Sequence, residues 1–321
     1  MQRLIGLLAA LIMTMSAGIP SAHAQAASPS PFAGTWAMRL GERNLFVITI
    51  TPTSDGFTGT FDRPEHYSST NTIFANITGK LRDDRIVRAR ADGSALHFTV
   101  RNSQDATDED DYLMTVSGDQ GTLALDGLPA SIVVEPMRLV RVSAQAKVAT
   151  DWQPNRIYCA NDSDTPSNEM KAIFDEDQRV RESQHVDWKT VGGTDAQRRE
   201  RTRKLLAAGA LHTGKDFEEA AFVFQHGDKP DDYLLAHALA MIAVARGDPT
   251  AIWIASATLD RYLENIGQKQ IFGTQFSRNA KGVWTQEPYD RDLVSDAMRE
   301  QLGVPGQATQ AKQLKAYQEQ K

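Results

Sequence analysis

The chain has 321 residues, with 41 acidic and 35 basic side chains and a formal net charge of −6. This balance argues against general nucleic-acid binding, because neutralising phosphates requires a basic face. The one cysteine excludes an intrachain disulfide, which a chain of this length does not need for a stable core. A basic run at 198–204 spreads around a helix at helical spacing, and we interpret it as a solvated helix end.

The first 24 residues have the pattern of an export signal. Arg3 gives a positive start, residues 4–15 are apolar, and Ala22-His23-Ala24 places small residues where signal peptidase cleaves. The apolar stretch is shorter than the roughly 20 residues that a membrane span needs. We therefore expect cleavage after Ala24, a periplasmic or secreted protein, and no membrane span after cleavage.

Residues 30–143 have the period of short β-strands. Apolar and polar residues alternate in segments separated by turn signals, at 45–51, 57–61, 73–77, 86–91, 95–100, 112–116, 121–125 and 137–142. A turn is expected at Asp83-Asp84. About eight strands at this spacing predict an antiparallel barrel or sandwich. Gly34-Thr35-Trp36 resembles the opening of lipocalin-like β-barrels, in which a tryptophan commonly plugs one end, and this resemblance favours the barrel.

Residues 144–167 are polar and contain Pro154 and Pro166. They predict either a linker or an extended strap that packs against its neighbours. The strap is an alternative because Trp152, Ile157 and Tyr158 are unfavourable residues to expose to water.

From residue 168 to about 310 the apolar period changes to 3.6, which predicts an all-α domain. We expect helices at 168–182, 195–208, 217–224, 232–246 and 248–266. Gly227 and Pro230 are expected to end the third of these, and Asp248 to cap the fifth. The fourth and fifth resemble one unit of a tetratricopeptide-like repeat, but a solenoid needs several units. The predicted fold class is therefore α+β, with a β-barrel or sandwich domain followed by a compact helical domain.

Polar residues stand at the edges of these apolar helices. His226 titrates near neutral pH and could act as a general base, with Asp228 as the carboxylate that orients its ring. The same two residues could instead only cap the helix end. Because polar groups at the ends of buried helices are unfavourable unless paired or used, we expect Gln225, Asp260, Arg261 and Gln275 to join them in one ligand-binding site. A structural salt bridge is the alternative for Asp260 and Arg261.

The sequence gives no reason to expect a metal or a cofactor. His185-Val186-Asp187 and His226-Gly227-Asp228 are His-x-Asp pairs, but the helix-spaced histidine pairs typical of zinc sites do not occur in the sequence. The chain also has no nucleophile elbow, phosphate-binding loop or dinucleotide fingerprint.

Four short segments together resemble a bacterial domain family of unknown function. Its members share a DQ.R start, a QH.D helix end, a DR helix and a GTQ turn. The matching segments are Asp177-Gln178-Arg179, Gln225-His226-Gly227-Asp228, Asp260-Arg261 and Gly273-Thr274-Gln275. The resemblance implies a helical domain with a shared polar cluster, and it adds Asp177 and Gln178 to the candidate ligand-binding residues. It implies no established activity.

Because no complete catalytic motif is present, these observations favour a cell-envelope module that binds a small polar ligand or an envelope protein. The alternative is a hydrolase-type enzyme that uses His226 as base and Asp228 to orient it, with Gln275 or Arg261 holding a polar substrate. An open ring nitrogen on His226 would favour the enzyme, whereas a fully hydrogen-bonded ring would favour a scaffold.

Overall fold

Eight antiparallel strands close into a barrel in the first part of the chain. The computed structural model describes residues 30–70, 72–129, 134–160, 162–182 and 188–319, with the backbone alone for 188–190. The strands are β1 (Gly34–Leu40), β2 (Arg43–Thr53), β3 (Gly56–Thr70), β4 (Ile73–Asp92), β5 (Ala95–Arg101), β6 (Glu109–Ser117), β7 (Gln120–Leu125) and β8 (Met137–Val142). Each pairs with the next, and β8 closes on β1. The antiparallel barrel is therefore confirmed, while the expected export signal lies outside the described residues.

The strand prediction is wrong between residues 73 and 91. The sequence predicts two strands separated by a turn at Asp83-Asp84, but both segments belong to β4. Asp84 is fully buried, and its carboxylate accepts hydrogen bonds from Arg63 at 2.8 Å, from Arg82 at 2.8 Å and from the Ser103 amide at 2.8 Å. Charged residues on the inward face interrupt the apolar alternation, so the periodicity alone indicates a break.

Aromatic side chains fill the barrel interior. Trp36 is fully buried, its indole Nε1 donates to the carbonyl oxygen of Phe32 at 2.8 Å, and the Arg141 guanidinium lies 4.2 Å from its ring centroid. Phe46 and Phe61 meet edge to face with centroids 5.2 Å apart. Such edge-to-face contacts stabilise an aromatic core beyond the effect of buried area.

Residues 144–167 pack as a strap. Tyr158 is almost fully buried, and its backbone exchanges two hydrogen bonds with Phe74 of β4. The Ile157 amide donates to the carbonyl oxygen of Ala245 in the helical part of the chain at 2.8 Å. The strap also holds the half-buried Cys159, where burial raises the pKa of the thiol. These contacts support the strap rather than a free linker, and residues Pro31–Lys321 form one compact unit.

The rest of the chain is mainly helical. The helices are α1 (Asn168–Glu182), α2 (Trp188–Ala207), α3 (Gly214–Phe224), α4 (Pro230–Ala245), α5 (Ile252–Asn265), α6 (Asp296–Gln301) and α7 (Gln307–Glu319), and the 3₁₀ turn Pro249–Ala251 precedes α5. Their apolar core is built from buried side chains of α1, α3, α4 and α5. Among the residues that the structure describes, no helix is long and apolar enough to cross a membrane.

Helix boundaries follow the capping chemistry. At the start of α3, Thr213 and Asp216 form a reciprocal capping box. Asp248 caps the 3₁₀ turn before α5, as expected. Pro230, expected to end the preceding helix, instead occupies the first turn of α4, where its missing N–H has no intrahelical partner to lose. α2 begins at Trp188, earlier than the predicted residue 195.

Candidate functional site

His226 lies just after α3 and faces α1. Its Nδ1 is 3.0 Å from Oδ2 and 3.2 Å from Oδ1 of Asp177, which is fully buried. A neutral ring in this position donates through Nδ1 to the carboxylate and keeps the lone pair on Nε2. Within the described part of the chain Nε2 makes no hydrogen bond, and the side chain is 17% exposed. One ring nitrogen is therefore fixed and the other is open.

Asp177 is itself held by donors from α1 and α2. Arg181 donates to Oδ1 at 2.9 Å and Gln178 donates to Oδ2 at 2.9 Å. Arg198 places its Nε 3.4 Å from Oδ1, and both arginines also pair with Asp195. Charge-assisted hydrogen bonds of this kind are strong and directional. They fix the carboxylate and, through it, the plane of the His226 ring.

The structure places Asp228 away from the histidine ring that it is predicted to orient. Its carboxylate is 70% exposed and lies 3.4 Å from Nη2 of Arg199. Nη1 of that arginine donates to the backbone oxygen of His226 at 2.7 Å. The carboxylate that contacts the ring is Asp177, which is 49 positions away in the chain. The resemblance to the DQ.R pattern is the one sequence signal that singles out this residue.

Gln225 and Arg261 lie beside His226. Gln225 is 8% exposed, and its side-chain amide makes no hydrogen bond with the described residues. Its backbone oxygen accepts from Nη1 of Arg261 at 3.5 Å. Burial lowers the pKa of the Arg261 guanidinium, and the charge of Arg181 lowers it further. The Tyr233 hydroxyl donates to the carbonyl oxygen of Gly227 at 2.7 Å, next to His226 in the chain.

Asp260 is directed away from this cluster and holds a loop. The carboxylate is fully buried and accepts from the amides of Ile271 at 2.7 Å, Phe272 at 3.0 Å and Thr274 at 2.9 Å. It also accepts from the Thr274 hydroxyl at 2.7 Å. These contacts are those of a residue that fixes the segment after α5, and none of them involves the candidate ligand-binding residues.

Gln275 belongs to the loop that Asp260 holds. Its Nε2 donates to the carbonyl oxygen of Ala257 at 3.1 Å and to the Thr274 hydroxyl at 2.9 Å. Ala257 precedes Arg261 by one helical turn, so the two positions share a face of α5. Gln275 therefore borders the side of the helix that carries Arg261, although its side chain makes no hydrogen bond to His226 or Gln225.

Three functional groups of this region are not predicted from the sequence. Arg198 and Arg199 belong to the basic run interpreted as a solvated helix end, yet both are buried and paired with aspartates. Glu264 lies one turn after Arg261 on α5. Burial and the neighbouring charge of Asp260 raise its pKa to about 7, so it can exchange a proton near neutral pH. Periodicity gives no signal for the contacts of Arg198 with Asp177 of α1 and of Arg199 with Asp232 of α4, because these carboxylates come from other helices.

The structure thus joins five of the predicted residues in one polar cluster, which we call the Arg261 cluster: Asp177, Gln178, Gln225, His226 and Arg261. Gln275 belongs to the loop after α5 and donates to Ala257 on the adjoining turn of that helix, whereas Asp228 and Asp260 contact other groups.

The described residues contain no group of three or more His, Cys, Asp or Glu side chains placed to hold a metal ion, and the pair His185 and Asp187 lies outside them. Comparison of the chain with models of protein families, with curated proteins and with solved structures finds no match in any of the three.

Proposed function

We propose that this protein is a cell-envelope module that binds a small polar ligand at the Arg261 cluster. The observation that carries the proposal is a set of polar groups that have unused hydrogen-bonding capacity beside the network that holds Asp177. The Gln225 amide and Nε2 of His226 make no hydrogen bonds within the residues that the structure describes. Neither group is sealed from solvent, so each is free to form a hydrogen bond with a partner from outside the chain. A ligand that supplies these partners accounts for both groups. The envelope location rests on the predicted export signal.

Two substitutions at His226 separate binding from structure. In His226→Asn the amide nitrogen takes the place of Nδ1, so the contact with Asp177 is kept and Nε2 is removed. In His226→Gln the amide nitrogen reaches the place of Nε2, so the contact with Asp177 is lost. We expect His226→Asn to melt close to the wild type and to weaken ligand binding at least tenfold, and His226→Gln to lose about 1–3 kcal/mol of stability.

The ligand is sought by thermal-shift screening of small polar compounds and measured by calorimetric titration. A compound that binds wild type and His226→Asn with equal affinity would place the ligand site elsewhere. Equal loss of stability in both variants would show that His226 is purely structural.

Hydrolysis is the second candidate, and the contact between His226 and Asp177 favours it. A histidine that is fixed through Nδ1 and open at Nε2 has the arrangement of a general base. No Ser, Thr or Cys of the described chain is hydrogen-bonded to Nε2, so a water molecule would be the nucleophile. Turnover of chromogenic esters or phosphoesters that falls by about 100-fold or more in His226→Asn would support this reading. Binding without turnover would support the module.

A further inference from the structure

We infer that the ligand carries a carboxylate and that Arg261 binds it, an inference that rests on the binding function proposed above. Arg261 lies on α5 and is partly buried. Its Nη1 lies 3.5 Å from the carbonyl oxygen of Gln225. Nε is out of contact with solvent and has no hydrogen-bond partner, and Nη2 makes no hydrogen bond with any described residue. Most of the hydrogen-bonding capacity of this cation is therefore unused.

The other buried arginines in the described chain behave differently. Each lies within 4.0 Å of a carboxylate: Arg63, Arg82, Arg156, Arg198, Arg199, Arg246 and Arg299. Arg261 forms no such ion pair with the residues that the structure describes. Removing a charge from water is unfavourable unless it is paired and hydrogen-bonded. Within this fold the exception points to a counter-ion that is not part of the chain.

The surrounding charges compensate Arg261 only in part, because Tyr233 and Glu264 favour its charged form while burial and Arg181 oppose it. Tyr233 and Glu264 act on it electrostatically without pairing with it, and Arg181 repels it. The neighbouring carboxylate of Asp260 is occupied by four hydrogen bonds from the loop after α5. A negative group brought to Arg261 would therefore meet a cation with no competing ion pair.

The unused atoms of Arg261 indicate the kind of anion. Nε and Nη2 form the side edge of a guanidinium, which binds a carboxylate through two parallel N–H···O bonds. Because Nε is out of contact with solvent, binding at this edge requires the groups that cover it to move. Only one positive charge is available, because Arg181, Arg198 and Arg199 are already paired with aspartates. One unpaired cation fits a monoanion better than a phosphate dianion. Arg261 contacts the backbone oxygen of Gln225, so the Gln225 amide and Nε2 of the adjoining His226 are the groups that we infer to bind hydroxyl or amino substituents. The ligand class is thus a small polar carboxylate.

The test compares anions at constant ionic strength. The melting temperature and titration calorimetry are measured with sodium acetate against sodium chloride, with sodium D-glucuronate against D-glucose, and with inorganic phosphate. The proteins are wild type, Arg261→Gln, Arg261→Lys and His226→Asn. Arg179→Gln is the matched control, because it removes an exposed arginine of α1 that forms no ion pair in the described chain.

We expect acetate to raise the melting temperature of the wild type and of Arg179→Gln in a saturable way, with no such rise in Arg261→Gln. Arg261→Lys keeps the charge without the paired N–H edge and should bind acetate at least tenfold more weakly. In chloride, Arg261→Gln should melt at or above the wild-type temperature, because a charge without an ion pair is removed. This last result also shows that the variant folds.

An equal acetate response in wild type and Arg261→Gln, or a response to phosphate alone, would overturn the carboxylate assignment. So would a marked fall in the melting temperature of Arg261→Gln in chloride, which would make Arg261 structural. The wider binding function is judged separately. If D-glucuronate binds more tightly than acetate and His226→Asn removes the difference in affinity, both the proposed binding function and the carboxylate assignment are supported. If acetate binds but D-glucuronate binds no more tightly, the carboxylate site at Arg261 is supported and the proposed binding of a polar ligand is refuted.

Discussion

Replacing Asp260 with asparagine tests whether its carboxylate stabilises the loop that follows α5. The carboxylate is fully buried, and each oxygen accepts two hydrogen bonds: Oδ1 from the amides of Ile271 and Phe272, and Oδ2 from the amide and hydroxyl of Thr274. An asparagine has one oxygen and one NH₂ group. With its NH₂ group toward Ile271 and Phe272 it loses two of the four bonds. With the NH₂ group toward Thr274 it loses the bond from the Thr274 amide, while the hydroxyl can turn and accept.

The size of the effect follows from these bonds. A hydrogen bond to a charged group contributes about 1.5–3 kcal/mol, so the loss of one or two predicts about 1.5–6 kcal/mol before relaxation. Because a loop can shift by a few tenths of an ångström, we expect about 3 kcal/mol. Asp228→Asn is the matched control: its carboxylate is 70% exposed and has one ion pair at 3.4 Å, which predicts less than about 1 kcal/mol.

The assay combines urea unfolding with hydrogen exchange of single amides. In Asp260→Asn the amides of Ile271, Phe272 and Thr274 should exchange faster than in the wild type, while the amides of the barrel strands keep their protection. A destabilisation below about 1 kcal/mol, or unchanged exchange at these three amides, would refute the structural role of the carboxylate.

Three further predictions follow from the structure and the sequence. Glu219 is buried with Oε2 unpartnered, and burial raises its pKa to about 7. The folded state therefore holds the proton of this carboxyl more tightly than the unfolded state does. As the pH rises from about 4.5 to 7, the contribution of Glu219 to stability should fall. Glu219→Gln should therefore be about 1–3 kcal/mol more stable than wild type at pH 8 and no different at pH 4.5, and a pH-independent difference in urea unfolding would contradict this. In limited proteolysis, trypsin should spare Arg156 in the strap, because that residue is buried; early cleavage there would show two domains joined by a linker. Mass spectrometry of the exported protein should show a chain that begins at Gln25, and an intact precursor would disprove the export signal.

The fold could be predicted where the apolar period is uninterrupted. The strands of the barrel and the helix at 168–182 follow from periods of 2 and 3.6. The prediction fails at Asp84 and Arg82. These charged residues face inward and neutralise one another, but in the sequence they interrupt the apolar alternation and so predict a turn. The prediction also fails at Trp188, where α2 continues through Gly192-Gly193 despite their low helix propensity. At Asp84, contacts with the distant residues Arg63 and Ser103 override the local pattern.

The site could be predicted as a set of residues but not as a geometry. The edges of apolar helices predict one site for Gln225, His226 and Arg261, and in the structure Arg261 contacts the backbone oxygen of Gln225, which adjoins His226. Asp228 is chosen as the partner of the histidine because it is close in sequence, whereas the observed partner, Asp177, belongs to another helix. Proximity along the chain predicts contact within a helix or a turn. It says nothing about the carboxylate that helix packing brings to a ring from across the domain.

Asp260 and Arg261 show how adjacent residues can serve stability and binding separately. Consecutive positions on a helix point about 100° apart. Asp260 therefore reaches the loop that contains Thr274, while Arg261 reaches the carbonyl oxygen of Gln225. The two should respond in opposite ways to substitution: Asp260→Asn should lower stability, and Arg261→Gln should preserve or raise it while removing the acetate response. The loop that Asp260 holds ends at Gln275, which bonds α5 one turn from Arg261. If Asp260→Asn also weakened acetate binding, that loop would form part of the ligand site, and Gln275 would be the residue that connects them.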